Sequence, residues 1–476
     1  MSTHVIDSSP ARPGRLRASR WAALPVVLAG TFMVVLDFFI VNVAMPAMQA
    51  DLHASTGAVE FVVAGYGLTF ATLLITSGRL GDQLGRRRTF STGLALFTVA
   101  SAACGLAWSP TALVVARLAQ GVAAALLSPQ VLSIIGVAYT GPDRVRALSV
   151  YGITLGLAAV GGQLIGGVLV HADVAGLGWR SCFLINVPIG AVALAVAPRL
   201  VPESRAERAS RLDLAGTVLV TAGLTAVVLP LVEGRSHGWP PWTWAALAVA
   251  PAILLAFAAH QRRLGHRGGA PLLDPVLFRD RAFSAGLLTQ LVFWCGQASF
   301  FLVLALYLQL GRGLDALQAG LVFTILAVAY LVASLEAPAL TARLGRRLPA
   351  IGALVLASGH ALLAASVAGL GTTGPVGLLA PALLLVGAGM GLVITPLTST
   401  VLGSLEPQLA GAASGALSTM QQVGNALGVA VTGVVFFGAL DRGFAHAFEV
   451  SLVELAVLCV AVAGLTRLLP RPAAAS

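Results

Sequence analysis

The sequence predicts an all-α polytopic membrane protein, and three observations carry that prediction. Of the 476 residues, 57% are hydrophobic and only 10% are charged, against about 25% charged in soluble domains. Apolar runs of about 20 residues, each long enough to cross about 30 Å of hydrocarbon, recur along nearly the whole length. Most of the remaining charges fall in the short connections between those runs. A membrane β-barrel would show segments of about ten alternating residues instead, and these runs do not alternate.

Taken in order, the runs place fourteen transmembrane helices near residues 22–47, 58–77, 89–108, 110–133, 148–170, 181–200, 213–233, 242–260, 283–308, 316–338, 349–369, 375–398, 411–437 and 449–469. The first run follows a basic head, Arg12, Arg15, Arg17 and Arg20. It is longer than the core of a secretory signal, about 7–15 residues, and further spans follow directly, so it reads as an uncleaved first helix. With the N-terminal tail taken as cytoplasmic, 24 of the 29 arginines fall inside, four fall outside (Arg180, Arg235, Arg312 and Arg442), and Arg117 lies within a span. This positive-inside bias supports the span count, since one missed helix would scramble the alternation. It also accounts for the net charge of +10 without nucleic acid.

There is no lysine; with abundant Ala and Gly, that usage fits a GC-rich bacterium. Cys104, Cys182, Cys295 and Cys459 lie in or beside apolar runs and read as small core residues, not a disulfide framework or metal site.

The chain carries an internal echo. GRLGDQLGRR, Gly78 to Arg87, aligns without gaps on PALTARLGRR, Pro338 to Arg347. A weaker echo pairs Gly152, Gly161 and Leu164 with Gly415, Gly424 and Leu427. The resulting organisation is a tail (1–21), a six-helix bundle (22–200), an inserted helix pair (213–260), a cytoplasmic linker (261–282), a second six-helix bundle (283–469) and a tail (470–476). Parallel halves of this kind mark a transporter that rocks one half against the other.

The few polar groups inside spans are the candidate functional residues. Asp37 lies about 15 Å below the outer face at 1.5 Å per residue. An ionised carboxylate there must face a polar cavity, pair with a cation or take up a proton; the competing reading is a structural carboxylate at a helix contact. Arg117 is about 10 Å deep, near the same level. Glu336, near the inner end of the tenth span, is a second candidate for proton coupling or an interfacial partner of Arg343 or Arg346, and Glu454 is a weaker candidate. Gln421 and Asn425 share a helix face at their spacing. With Asn42, Gln120, Gln290 and Gln297 they are candidates to line a substrate cavity or to bond helices together. Phe38, Phe39, Phe293, Trp294, Phe300 and Phe301 can line an apolar pocket or face core and lipid. In the loop GRLGDQLGRRRT, Gly78 to Thr89, Gly81 and Gly85 suit a tight turn. Asp82 can cap a neighbouring helix, and Arg86 and Arg87 can bind a loop acid such as Asp143.

These residues resemble a known family. GRLGDQLGRRRT looks like the signature loop of the major facilitator superfamily. LDFFIVNVAMPAM (Leu36 to Met48), RLAQGVAAALLSP (Arg117 to Pro129), GWRSCFLINVPIG (Gly178 to Gly190) and PLLDPVLFRDRAF (Pro271 to Phe283) resemble, in order, motifs of its drug:proton antiporters with fourteen spans. One motif departs: VGGQLIGG, Val160 to Gly167, has Gln163 where the fifth helix of antiporters carries a proline. Its small residues, with Gly152, Gly156, Gly162, Gly166 and Gly167, still permit close helix packing, while a proline kink is lost.

The resemblance implies that the first and fourth helices line one cavity, so that Arg117 tunes protonation of Asp37. It implies that Gly78, Asp82, Gly85, Arg86, Arg87 and Asp143 form a cytoplasmic gate, with Asp82 capping the thirteenth span near Gly411. The implied function is proton-driven export of small amphipathic, drug-like or antibiotic molecules by alternating access. The protein would sit in the bacterial cytoplasmic membrane with both termini inside, as a monomer, with protons, substrate and lipid as its partners and no cofactor, metal or nucleic acid. One deep acid leaves a neutral, zwitterionic or anionic substrate open. A proton-coupled importer of a metabolite is the alternative direction. A membrane-embedded enzyme is the rival of another class, but no HExxH, acidic cluster or Walker motif is present, and GAGMG, Gly387 to Gly391, lies inside an apolar span and reads as helix packing. A channel fits the two-half repeat less well than alternating access.

Overall fold

The computed structural model describes residues 13–54, 56–205, 213–234, 237–267, 269, 271–273, 275–403 and 410–469. Within them the chain is helical, with no strand among the described residues. This follows from the apolar composition, because in hydrocarbon every backbone donor and acceptor must be satisfied within the segment itself.

The helices are α1 (Pro13–Leu52), α2 (Thr56–Leu84), α3 (Arg86–Gly105), α4 (Pro110–Ala138), α5 (Gly141–Ala172), α6 (Ser181–Leu184), α7 (Asn186–Leu200), α8 (Leu214–Glu233) and α9 (Pro241–His266). They continue as α10 (Arg281–Leu306), α11 (Ala316–Leu344), α12 (Arg347–Leu370), α13 (Ala380–Gly403), α14 (Ala410–Gly438) and α15 (Phe444–Leu465). Among the described residues, 12 helical segments are long and apolar enough to cross a membrane. The sequence reading counts fourteen spans, the other two being α2 and α3.

Local chemistry sets the helix ends. Ser109 accepts a hydrogen bond from the Ala112 amide and Pro110 opens α4. Asp280 caps α10 through the Ala282 amide. Asp315 and Gln318 form a reciprocal capping box on α11. Each arrangement satisfies donors that the first turn cannot pair internally. Gly85 after α2 and Gly345 after α11 both take positive φ, 108° and 54°. The two copies of the sequence echo thus make the same kind of corner, and glycine is the residue that adopts it without strain.

The packing pairs repeat too. α2 lies on α4 as α11 lies on α13, and α1 lies on α5 as α10 lies on α14. Between the two series, α5 packs on α11 and α2 on α14. On the side of the α2–α3 corner, a Cβ at Gly415 would lie 3.2 Å from the Leu74 carbonyl oxygen. On the opposite side, a Cβ at Gly320 would lie 3.1 Å from the Gln163 carbonyl oxygen. The helices therefore close on both faces around a central space. α8 packs beside α2 and α14, and α9 packs on α8.

Candidate functional site: a buried ionic network and a central cavity

Asp37 on α1 is sealed from solvent, and so is Arg117 on α4. Arg117 Nη1 donates directly to Asp37 Oδ2. Gln120 Nε2 and Asn186 Nδ2 donate to Asp37 Oδ1 at 2.9 and 3.0 Å. Both amides also donate to Ser101 Oγ, at 2.6 and 3.0 Å. Four helices, α1, α3, α4 and α7, thus converge on one carboxylate. Arg117 is itself fixed: Nε donates to the Val62 carbonyl at 2.9 Å and Nη1 to Gln120 Oε1 at 2.8 Å. Its guanidinium lies 4.3 Å from the centre of the Tyr66 ring, where the ring quadrupole attracts a cation. A guanidinium donor on an acceptor-only carboxylate makes a charge-assisted hydrogen bond, stronger than a neutral one.

The structure corrects several expectations. Gln120 belongs to this network and is not among the described residues lining the central cavity. Glu336 lies on the exposed surface of α11, away from the network, because its position on the helix faces outward. Asn186 and Ser101 were not anticipated. The signal for Asn186 was present as an amide inside the apolar stretch GWRSCFLINVPIG; nothing in the sequence distinguishes Ser101.

At the α2–α3 corner, Gly78, Asp82, Gly85, Arg86 and Arg87 do come together. Asp82 and Arg86 are buried and paired at 2.6 Å. The acid facing Arg87 and Arg88 is Glu203, at 3.6 and 3.9 Å; it also accepts from the Arg87 amide at 3.1 Å. Asp143, the acid expected there, sits exposed in the first turn of α5. The Arg86 amide donates to the Ser204 carbonyl at 2.9 Å, so the segment after α7 folds over the corner. Burial pushes the Asp82 carboxyl above its ordinary range, with Arg86 opposing. The chain at residues 404–409, before the α14 start that Asp82 was expected to cap, lies outside the described residues. Arg79 donates to the carbonyls of Leu272, at 2.8 Å, and Pro271, tying the corner to the 271–273 segment.

The α5 glycines are close-approach positions on two faces. A Cβ at Gly152 would lie 2.6 Å from Thr395 Oγ1, and one at Gly156 would overlap the Tyr330 ring. On the other face, a Cβ at Gly162 would lie 3.2 Å from the Leu36 carbonyl oxygen and one at Gly166 would lie 2.8 Å from Ile40 Cγ1. Gly167 is buried beside them. Gln163 donates to the Phe39 carbonyl at 3.5 Å, so the residue in the proline's place bonds α1 just beyond Asp37.

Between the two helix series lies a cavity of about 60 Å³. Its polar wall includes the expected Gln297, Gln421 and Asn425, and its apolar wall includes Phe38, Phe39, Trp294 and Phe301. Gln290 stands behind it, accepting from Trp294 Nε1 at 2.7 Å. The side chain of Asn42 lies outside the described residues.

A sequence model described as the Major Facilitator Superfamily matches residues 27–429. The chain is 41% identical over 424 residues to a probable actinorhodin transporter of Streptomyces coelicolor, covering 89% of this chain and 73% of that one. It is 38% identical to the cephamycin export protein CmcT of Amycolatopsis lactamdurans, over 96% of this chain and 95% of that one. It is 34% identical to the tetracenomycin C resistance and export protein of Streptomyces glaucescens, over 88% and 76%. In three dimensions it superposes on the proton:xylose symporter XylE with a TM-score of 0.68 at 17% identity, over 96% and 97% of the two chains, which speaks for the fold alone. Matched from Val27 to Val429 by the superfamily and folded as its solved members are, the chain belongs to the Major Facilitator Superfamily and is a membrane transporter, not an enzyme.

Proposed function

We propose that the protein is a proton-driven exporter of small amphipathic, antibiotic-like molecules in the bacterial cytoplasmic membrane. The observation that carries the coupling is the sealed Asp37–Arg117 pair, held by Gln120 and Asn186 across four helices. An ionised pair in the membrane interior is expensive to maintain and is retained where it does work. Every group bonded to Asp37 donates, so a proton arriving on the carboxylate removes the negative charge that holds them and weakens each bond. That weakening links protonation to movement of α1 against α4 and α7. The named relatives support export and an antibiotic-like cargo.

In this reading α2 and α3 join the 12 apolar segments to make fourteen spans. Residues 22–200 and 283–469 are the rocking halves, 213–260 is the inserted pair and 261–282 the cytoplasmic linker, with tails 1–21 and 470–476. Both termini are cytoplasmic, as the arginine distribution favours, and one chain suffices to form the pathway. The α2–α3 corner, with Glu203 in place of Asp143, is the cytoplasmic gate, and Asp37 and Arg117 are the coupling residues.

The test is transport in inverted membrane vesicles with an acidified lumen, comparing wild type with Asp37→Asn. Compound uptake coupled to proton release in wild type and lost in the variant is the expected result. Proton-coupled transport that persists unchanged in Asp37→Asn rejects Asp37 as the proton site.

A further inference from the structure

Resting on the exporter reading above, we infer that the central cavity selects flat, uncharged molecules that carry both a hydrogen-bond acceptor and a donor, and that Gln297, Gln421 and Asn425 select them. The described cavity wall contains no Asp, Glu, Arg or His side chain. A charged ligand taken from water into such a space would lose its hydration without gaining a counter-ion. The one deep acid on the neighbouring helix face, Asp37, cannot serve, because its oxygens are already bonded to Arg117, Gln120 and Asn186.

The polar groups of the wall are built for a neutral partner. Gln297, Asn425 and Gln421 are only 3%, 6% and 8% exposed. Gln297 Oε1, Asn425 Oδ1 and Gln421 Nε2 are nonetheless buried with no hydrogen-bond partner. Asn425 is oriented, since its Nδ2 donates to Gln422 Oε1 at 3.2 Å, which leaves its oxygen to accept. A buried unpaired amide is costly on its own and is recovered when a ligand completes it. Two acceptors and one donor call for a ligand bearing both O–H or N–H groups and a carbonyl-type oxygen.

The remainder of the wall is aromatic. Phe39 and Phe301 meet across the two helix series with ring centroids 4.9 Å apart, and Phe38 lies 5.1 Å from Phe39. Trp294 offers only its ring face, because its N–H is bound to Gln290. The cavity of about 60 Å³ holds a few water molecules, whereas drug-sized sites measure roughly 300–1,000 Å³. The halves must therefore part to admit cargo, and a planar molecule demands the least parting between these rings.

The experiment measures binding to the purified full-length protein in detergent, without a gradient, alongside pH-driven uptake in vesicles. Three flat probes are compared: a neutral dihydroxyanthraquinone, an anthraquinone sulfonate and a quaternary phenanthridinium. The neutral probe is expected to bind and the two ions are not. Gln421→Leu and Asn425→Leu are expected to weaken it by about tenfold each, the loss of one well-placed hydrogen bond. Gln421→Glu places an acid in the wall and is expected to gain the cation, an outcome that a merely misfolded variant cannot give. The proposal is overturned if wild type binds the cation as tightly as the neutral probe, if the neutral probe does not bind, or if Gln421→Glu leaves the preference unchanged. Neutral binding without pH-driven uptake supports this inference and rejects the exporter reading; pumping of the cation does the reverse.

Discussion

Arg117 and Asp37 lie 80 residues apart in sequence and touch directly, both sealed from solvent. Neither has an alternative partner of opposite charge within the described network. Removing one therefore strands the other. We predict that Arg117→Ala destabilises the protein by about 3–5 kcal/mol, the usual cost of an uncompensated buried charge. The double variant Asp37→Asn/Arg117→Gln should recover most of that stability and none of the proton coupling. Thermal unfolding in detergent, read beside proton release in vesicles, separates the two effects; a double variant as unstable as Arg117→Ala contradicts the argument.

Asp82 gives the α2–α3 corner a pH dependence whose sign is fixed by its surroundings. Burial pushes its carboxyl above the ordinary 3.8, against the pull of Arg86 and then Arg79. A group raised in the folded state contributes stability that is fully present below its ordinary value and lost as pH rises through the raised one. The corner should accordingly loosen as pH climbs from about 4 through that raised value, and Asp82→Asn should flatten the profile. Hydrogen exchange at the ends of α2 and α3 across a pH series reads this. Tightening with rising pH would mean that the Arg86 bond outweighs burial.

Much of the site could be read from the sequence because a charge in an apolar run stands out. Asp37 and Arg117 are visible for that reason, and the repeated corner is visible because Gly85 and Gly345 both sit in the string Leu-Gly-Arg-Arg. The partners were less legible. These spans are apolar on nearly every side, so the sequence carries little signal for which face of a helix turns inward. Glu336, readable as a coupling acid or as an interfacial partner of Arg343 or Arg346, is exposed; Gln120, readable as lining a cavity or as bonding helices together, bonds Asp37. Asn186 and Glu203 act through contacts made 149 and 116 residues away, which no local pattern encodes.

Gln261 is a second buried amide with structural consequences. It donates to Asp213 Oδ2 at 2.8 Å and accepts from the Leu273 amide at 3.3 Å, so α9 holds both the start of α8 and the 271–273 segment that Arg79 grips. Gln261→Leu leaves Asp213 with His260 and the Gly216 amide but orphans the Leu273 amide. We expect a loss of about 1–3 kcal/mol and faster tryptic cleavage at Arg267 or Arg279, with α1–α5 unaffected. Unchanged cleavage would show that Arg79 alone secures the segment.

Tyr330 and Gly156 set how closely α5 and α11 approach. The Tyr330 hydroxyl donates to the Gly152 carbonyl one turn earlier, and its ring occupies the space that a Cβ at Gly156 would take. Both residues belong to the seam where α5 and α11 meet. Gly156→Leu cannot keep this seam without displacing a fully buried tyrosine. Overpacking of this kind costs roughly 1–3 kcal/mol, and here it falls on the closed arrangement rather than on any single helix. The variant should still insert and fold, yet transport slowly, because the state in which α5 and α11 meet becomes less populated. Tyr330→Ala should partly restore transport in the Gly156→Leu background by removing the obstructing ring, while lowering it in the wild-type background by opening a cavity and freeing the Gly152 carbonyl. A cross-link between cysteines placed at Gly320 and Leu164, where the same two helices meet further along, reports how often the seam is closed. If Gly156→Leu cross-links as readily as its Gly156 parent, the glycine serves helix packing within one state and takes no part in the exchange between states.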